Sequence, residues 1–337
     1  MAGSGKAHLR DGGDVLLRVD DLVVEFAAGS GQVVHAVSNV SLDVLRGETV
    51  GLVGESGCGK STLGRAILQL PKPTAGSVVY GDTDLTTLGD EDLRRVRRDL
   101  QMILQDPISS LNPRRKVKDT VAAGLRVTKT DTRQVADKVD EVIRAVGLRP
   151  EIVGNGRPSQ FSGGQCQRIS LARALVLDPK LIICDEPVSA LDVSVQAQVV
   201  NLLDDMKARY GLTLLFISHD LAVVKNVSDR VIVMYLGKIC EVSGPDDLFA
   251  NPRHHYTRLL MESIPRPGAP ASSVESDAPA DARTIDLPSP IAPPSGCRFR
   301  TRCPAATDLC AVEEPQLREV GPDHFVACHF PSAGILG

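Results

Sequence analysis

Residues 54–62 read GESGCGKST, and Gly54, Gly59, Lys60 and Ser61 fit the pattern G-x-x-x-x-G-K-[ST]. Such a loop turns its backbone N–H groups inward around a phosphate chain, and glycines let the chain bend that tightly. Lys60 is placed to reach the outer phosphates and the Ser61 hydroxyl to hold Mg²⁺. Glu55, Ser56, Gly57, Cys58 and Thr62 complete the candidate nucleotide-contacting stretch. The flanks agree. Thr49 to Val53 is a short apolar run that predicts a buried strand. Thr62 to Leu70 predicts a helix whose N-terminus points at the phosphates. The bland alternative, a glycine-rich turn that binds nothing, does not explain this strand–loop–helix context.

Outward from the loop, Val15 to Phe26 and Val33 to Val44 read as strands, and residues 76–88 as a short strand and turn. Phe26 is placed either to stack on a nucleotide base or to fill a core. Met102 to Leu104 predicts an apolar strand ending on Gln105, whose amide can face Mg²⁺ or water. From about Val117 to Ala145 apolar residues recur three and four apart, which predicts helix. Ser162 then stands three residues before Gln165, an S-x-x-Q capping box. Gly163 and Gly164 leave that helix start open to an anion. Leu181 to Cys184 is an apolar run delivering Asp185 and Glu186. A carboxylate there suits Mg²⁺ orientation, and its neighbour suits polarising a water, a role worth roughly 10²–10⁴ in rate. Leu212 to Ile217 likewise delivers His219, and Val231 to Tyr235 is a further strand.

Composition bounds the rest. The 337 residues allow about two domains. A net charge of −4 and 3% aromatic residues argue against a nucleic-acid partner. No apolar run reaches the ~18 residues of a membrane span, and residues 1–14 lack a signal-peptide core. The chain is therefore expected in the cytoplasm, with residues 1–14 disordered. Residues 265–296 carry eight prolines and predict a linker. Beyond it Cys297, Cys303, Cys310 and Cys328 are spaced C-x5-C-x6-C-x17-C. In a reducing compartment such a cluster suggests a metal rather than disulfides. The spacing is not that of a zinc ribbon, and four thiolates also suit an iron–sulfur cluster. A tail so poor in apolar residues is expected to be marginally folded without its metal.

In this order the motifs resemble the ATP-binding cassette (ABC) family. GESGCGKST resembles its Walker A loop, Gln105 its Q-loop, FSGGQ (161–165) its signature, with Phe161 in place of the usual Leu, and LIICDEP (181–187) its Walker B. SALD (189–192) resembles the D-loop, His219 the switch histidine, and Phe26 falls where the family stacks the base. MILQDPISSLNPR (102–114), CDEPVSALDVSVQAQVVNLL (184–203) and the tail segments DLFANPRHHYTRLLMESIP (247–265), CRFRTRCPAATDLC (297–310) and ACHF (327–330) are similar to the F-type oligopeptide/dipeptide permease ATPases. The resemblance implies an α/β P-loop NTPase over 15–264, with a RecA-like core, an antiparallel β subdomain and a helical subdomain at about 106–170. A cysteine-rich extension at 297–330 follows. It also implies ATP and Mg²⁺ as ligands, Glu186 and His219 as catalytic residues, and Ser61 and Gln105 as Mg²⁺ contacts. Ser162, Gly163, Gly164 and Gln165 would face a partner's ATP. Some peptide importers carry a [4Fe–4S] cluster at the tail cysteines, with zinc the alternative here. The implied partners are a D-type ATPase subunit, two transmembrane permease subunits and an extracytoplasmic peptide-binding protein. The implied work is ATP-driven peptide import at the cytoplasmic face of the membrane. The competing readings are a non-transport cassette ATPase, or an importer of nickel complexes or glutathione.

Overall fold

The computed structural model describes residues 5–29, 31–127, 132–189, 191–262 and 287–333. The expectations for residues 1–4 and 265–286, and for Ala190 of SALD, lie outside the described residues. Two compact units divide the chain. One comprises Met1–Leu45, Val50–Thr87 and His219–Gly337, the other Arg46–Thr49 and Leu88–Ser218.

The first unit opens on β1 (Val15–Ala27) and β2 (Val33–Leu45), long antiparallel partners in register from Val15 opposite Leu45 to Ala27 opposite Val33. Their inward residues Leu17, Val19, Leu22, Val37 and Leu42 are fully buried. All five residues of β3 (Thr49–Val53) are buried, as expected of a strand covered on both faces. Helix α1 (Lys60–Ile67) follows the phosphate loop, starting two residues earlier than its apolar pattern predicts. β4 (Ala75–Tyr80) and β5 (Thr83–Asp84) complete an antiparallel sheet ordered β2-β1-β4-β5. Residues 5–14, expected to be disordered, lie against this unit. His8 is buried, with a ring nitrogen 2.8 Å from the Ser41 carbonyl, and Lys6 pairs with Asp20 and Asp21.

The second unit carries α2 (Asp90–Val96) and β6 (Leu100–Ile103), then a run of helices. These are α3 (Val117–Val121), α4 (Ala123–Val127), α5 (Thr132–Ala145) and α6 (Pro150–Val153). The predicted stripe on α5 is real: Val135, Val139, Val142 and Ile143 are buried. α7 (Gly163–Leu175) starts at the predicted capping box. β7 (Leu181–Asp185) pairs in parallel with β6 on one side and β8 (Thr213–Ser218) on the other, with α8 (Val193–Tyr210) between β7 and β8 in sequence. Every residue of β7 and β8 is buried.

The chain then returns to the first unit through α9 (Leu221–Val227), β9 (Arg230–Tyr235) and β10 (Lys238–Ser243). β9 runs parallel to β3, with Val50 opposite Arg230 and Val53 opposite Val233. α10 (Pro245–Ala250) and α11 (His255–Glu262) follow. After residue 287 come α12 (Asp308–Val312), β11 (Arg318–Gly321) and β12 (His324–Val326). β12 adds to the edge of β10, pairing Val326 with Glu241 and Phe325 with Val242. The tail packs on the unit: Phe299, Leu317 and Val326 are buried and a backbone ladder joins it to β10. No helix among the described residues is long and apolar enough to cross a membrane.

Candidate functional site

In the first unit the phosphate loop is shaped by close backbone packing. Gly54 has φ 150° and Gly59 φ 105°. A Cβ on Gly54 would sit 2.1 Å from the Met234 carbonyl oxygen, and one on Gly59 would sit 2.2 Å from that of Ala36. Neither position has room for a side chain, so the neighbouring strands press the loop into its turn. Gly59 is the N-cap of α1 and no side chain caps the helix there. That end carries the partial positive charge of the helix, with N–H groups suited to phosphate oxygens. Lys60 is buried, and its ammonium donates to the Gly54 carbonyl at 2.7 Å and the Glu55 carbonyl at 2.9 Å. Its charge is thus held inside the turn by the loop's own backbone. Ser56 and Gly57 are exposed, whereas Cys58 is buried and burial pushes its thiol up. Ser61 and Thr62 lie in the first turn of α1. Phe26, 41% exposed, lies near the end of β1. His219 is exposed, and the next residue, Asp220, caps α9 by accepting from the Ala222 and Val223 N–H groups.

In the second unit Asp185 ends β7 fully buried and Glu186 follows, 7% exposed. Glu186 has φ 48°, a left-handed conformation uncommon for a side-chain-bearing residue. Its N–H donates to the Ile217 carbonyl at 2.9 Å, which fixes its main chain against β8. The Gln105 amide donates to a Glu186 carboxylate oxygen at 2.7 Å. Two residues 81 positions apart are thereby brought together. The signature stretch is a reciprocal cap. Ser162 Oγ accepts from the Gln165 N–H at 3.3 Å, and Gln165 Oε1 accepts from the Ser162 N–H at 3.0 Å. Ser162 and Gln165 are exposed, so the start of α7, with Gly163 and Gly164, is accessible.

Cys297, Cys303, Cys310 and Cys328 are free thiols. Burial, reinforced by the neighbouring tail cysteines, pushes Cys303 up to about 12 and Cys328 up to about 11. Among the described residues no group of three or more His, Cys, Asp or Glu side chains is arranged to hold a metal ion. The expected [4Fe–4S] cluster, and zinc as its alternative, therefore have no preformed ligand set. Cys310 lies 3.8 Å from the Thr307 hydroxyl, and its carbonyl accepts from the Cys297 N–H at 2.8 Å. His329 has its Nε2 3.0 Å from the Glu313 carbonyl oxygen.

Sequence reasoning missed the groups that hold Glu55. The Arg302 guanidinium meets its carboxylate with two bonds, at 2.7 and 2.9 Å, and the Tyr256 hydroxyl lies 2.7 Å from its N–H. A carboxylate inside a phosphate-binding turn is the one available signal, since it requires a cation nearby.

Comparison with known proteins places this geometry. The family model described as "ABC transporter" matches residues 37–189, and that described as "Oligopeptide/dipeptide transporter, C-terminal region" matches 240–310. The chain is 49% identical over 328 residues to the oligopeptide transport ATP-binding protein OppF of Escherichia coli, covering 94% of this chain and 97% of that one. It is 51% identical over 295 residues to a putative peptide import ATP-binding protein of Brucella ovis, covering 87% and 90%. Among solved structures, cbiO1 from Clostridium perfringens, part of the ABC transporter complex cbiONQ, matches with a TM-score of 0.63 at 27% identity, over 70% of this chain and 91% of that one. The ATP-binding cassette MJ0796, in a post-hydrolysis state bound to ADP and Pi, matches with a TM-score of 0.62 at 28% identity, over 68% and 98%.

Proposed function

Because this chain belongs to the ABC transporter family, together with the ATP-binding proteins of oligopeptide transport, we propose that it hydrolyses ATP to power peptide import through a membrane permease. The observation that carries the reading is Lys60, held inside a glycine-shaped turn at the uncapped N-terminus of α1. A triphosphate entering the loop offers Lys60 anionic oxygens in place of two neutral carbonyls, so an ammonium–carbonyl bond gives way to a hydrogen-bonded ion pair. The loop N–H groups and the helix end then share the remaining charge. Ser61 and Gln105 would hold Mg²⁺, with Asp185 orienting it; the ion would neutralise charge on the phosphate oxygens. Glu186 polarises the attacking water, its carboxylate aimed by the Gln105 amide. His219 contacts the transferred phosphate, and Phe26 stacks on the base. Ser162, Gly163, Gly164 and Gln165 face the ATP of a second subunit, of the D type, in a head-to-tail pair. The helical insertion at about 106–170 engages one of two permease subunits at the cytoplasmic face, and a separate extracytoplasmic protein selects the peptide. The finer reading of the tail, an iron–sulfur cluster on the four cysteines, rests on their soft donor chemistry alone. Iron, sulfide and zinc analysis of protein purified without oxygen tests it.

The functional test is ATP-dependent uptake of labelled peptides into vesicles holding the assembled transporter, with and without this chain. Uptake that requires the chain and ATP supports the proposal. ATP hydrolysis coupled to nickel complexes or glutathione instead would keep the transport reading and replace the cargo. Association with ribosomes rather than with permeases would favour a non-transport ATPase.

A further inference from the structure

Glu55 of the phosphate loop is tied from within the loop, from α11 and from the tail. Its carbonyl accepts from Lys60 at 2.9 Å, at the start of α1. Its N–H meets the Tyr256 hydroxyl at 2.7 Å, on α11. Its carboxylate takes both arms of Arg302, 247 residues further along, at 2.7 and 2.9 Å. The Arg302 side chain is 5% exposed and that of Glu55 30%. Planar, two-armed pairing of this kind fixes orientation as well as distance, which an ammonium would not do.

The surroundings are as specific as the pair. Arg302 lies over the Tyr235 ring, 5.9 Å from its centre. Tyr235 is 4.6 Å from Tyr256 and 5.3 Å from Phe299, ring centre to ring centre. All three rings are buried. They form an apolar block beneath the loop, in a chain with only seven Phe and four Tyr. Leu287, at the start of the described tail, has a methyl group 3.9 Å from where a Cβ on Gly57 would stand. The tail thus meets the phosphate loop at Gly57 and at Glu55.

We propose that Arg302 is a positioning residue for the phosphate loop, so that the C-terminal extension is a working part of the nucleotide site. This rests on the nucleotide reading above. The physical case is that a carboxylate beside a phosphate site repels the ligand unless its charge is matched. Arg302 matches it with a two-armed pair. Removing the guanidinium leaves a half-buried carboxylate uncompensated next to the incoming triphosphate.

The test uses the full-length chain and a fluorescent ATP analogue with Mg²⁺, titrated against wild type, R302Q, R302K, E55Q and R302Q/E55Q. KM and kcat for ATP are then measured in the assembled transporter. R302Q is expected to weaken binding about tenfold and to raise KM similarly, with kcat changed by less than about twofold. R302K is expected to recover part of the loss. The double variant is expected to bind no worse than R302Q, because its Glu55 charge is also gone. Arg302 acting only as a staple for the tail would lower thermal stability without this KM-against-kcat split. E55Q changes no volume, so it keeps the idea testable if R302Q folds poorly. Wild-type binding with an indifferent R302Q, or penalties that multiply in the double variant, would overturn this inference alone. Failure of the wild-type chain to bind the analogue would overturn the nucleotide reading and this inference with it.

Discussion

Glu186 is held in a backbone conformation that its side chain disfavours, at φ 48°, by a hydrogen bond from its N–H to Ile217. Strain at the residue that would polarise water points to function rather than stability. Glu186→Gln preserves shape and removes the base. Steady-state turnover is expected to fall by roughly 10²–10⁴ while ATP binding persists; measurement of both on the same preparation checks it, and unchanged turnover would remove Glu186 from the mechanism. Gly59→Ala tests the loop itself. Its Cβ would press on the Ala36 carbonyl at 2.2 Å with φ at 105°, so the turn must open. Loss of nucleotide binding with a cooperative melt retained is the expected result. These residues were legible in the sequence because phosphate binding demands particular residue types at fixed local spacing. Arg302 and Tyr256 were not. Their link to Glu55 spans 247 and 201 residues, and no local pattern records a contact made by folding.

Helix α11 carries Tyr256, and its start depends on one imidazole. His254 Nδ1 accepts from the Tyr256 N–H at 3.0 Å, which only the neutral ring can do. Burial drives His254 down from 6.5 to about 4, with Glu241 opposing it. Because the folded value lies below the unfolded one, the stabilisation is complete above about pH 6.5 and fades as pH falls towards 4. His324 on β12 behaves oppositely. Burial alone would lower it, but Glu241 and Asp247, each 2.6 Å away, outweigh burial and raise it. Its contribution is complete below the ordinary imidazole value and is lost as pH rises through the raised one. Melting temperature against pH should therefore fall on both sides of a maximum. H254N, which can still cap a helix, should flatten the acid limb, and H324Q the alkaline limb. Identical profiles for wild type and variants would refute both assignments. At this scale the buried strands β3, β7, β8 and β9 were readable as continuous apolar runs, and the α7 cap as S-x-x-Q. The β11–β12 hairpin was not: Arg-Glu-Val-Gly and His-Phe-Val are too short and polar to declare themselves. They become strands because β10 offers an edge.

Across the first unit, the tail covers surface that could not remain bare. β12 satisfies the outer edge of β10, and Phe299 closes the aromatic block around Tyr235 and Tyr256. An open strand edge beside exposed rings is an aggregation template. Deleting residues 287–337 is therefore expected to give a chain that elutes as mixed oligomers, melts earlier and binds nucleotide more weakly. A monodisperse truncation with wild-type affinity would show the tail to be dispensable. Cysteine spacing is visible in one dimension and suggests a separate metal module, whereas a strand added to a distant edge leaves no such mark.

The span between Glu55 and Arg302 also has a meaning in time. A ribosome making about 5–20 residues per second delivers the glutamate tens of seconds before the arginine that matches its charge. Throughout that interval the phosphate loop exists without its distant clasp, and β10 without its neighbour. A prematurely terminated product carries every residue of the Walker A motif yet lacks the group that sets its loop. The segment that carries Arg302 thus completes a turn made long before it, and the clasp on Glu55 closes only once that segment has emerged and folded.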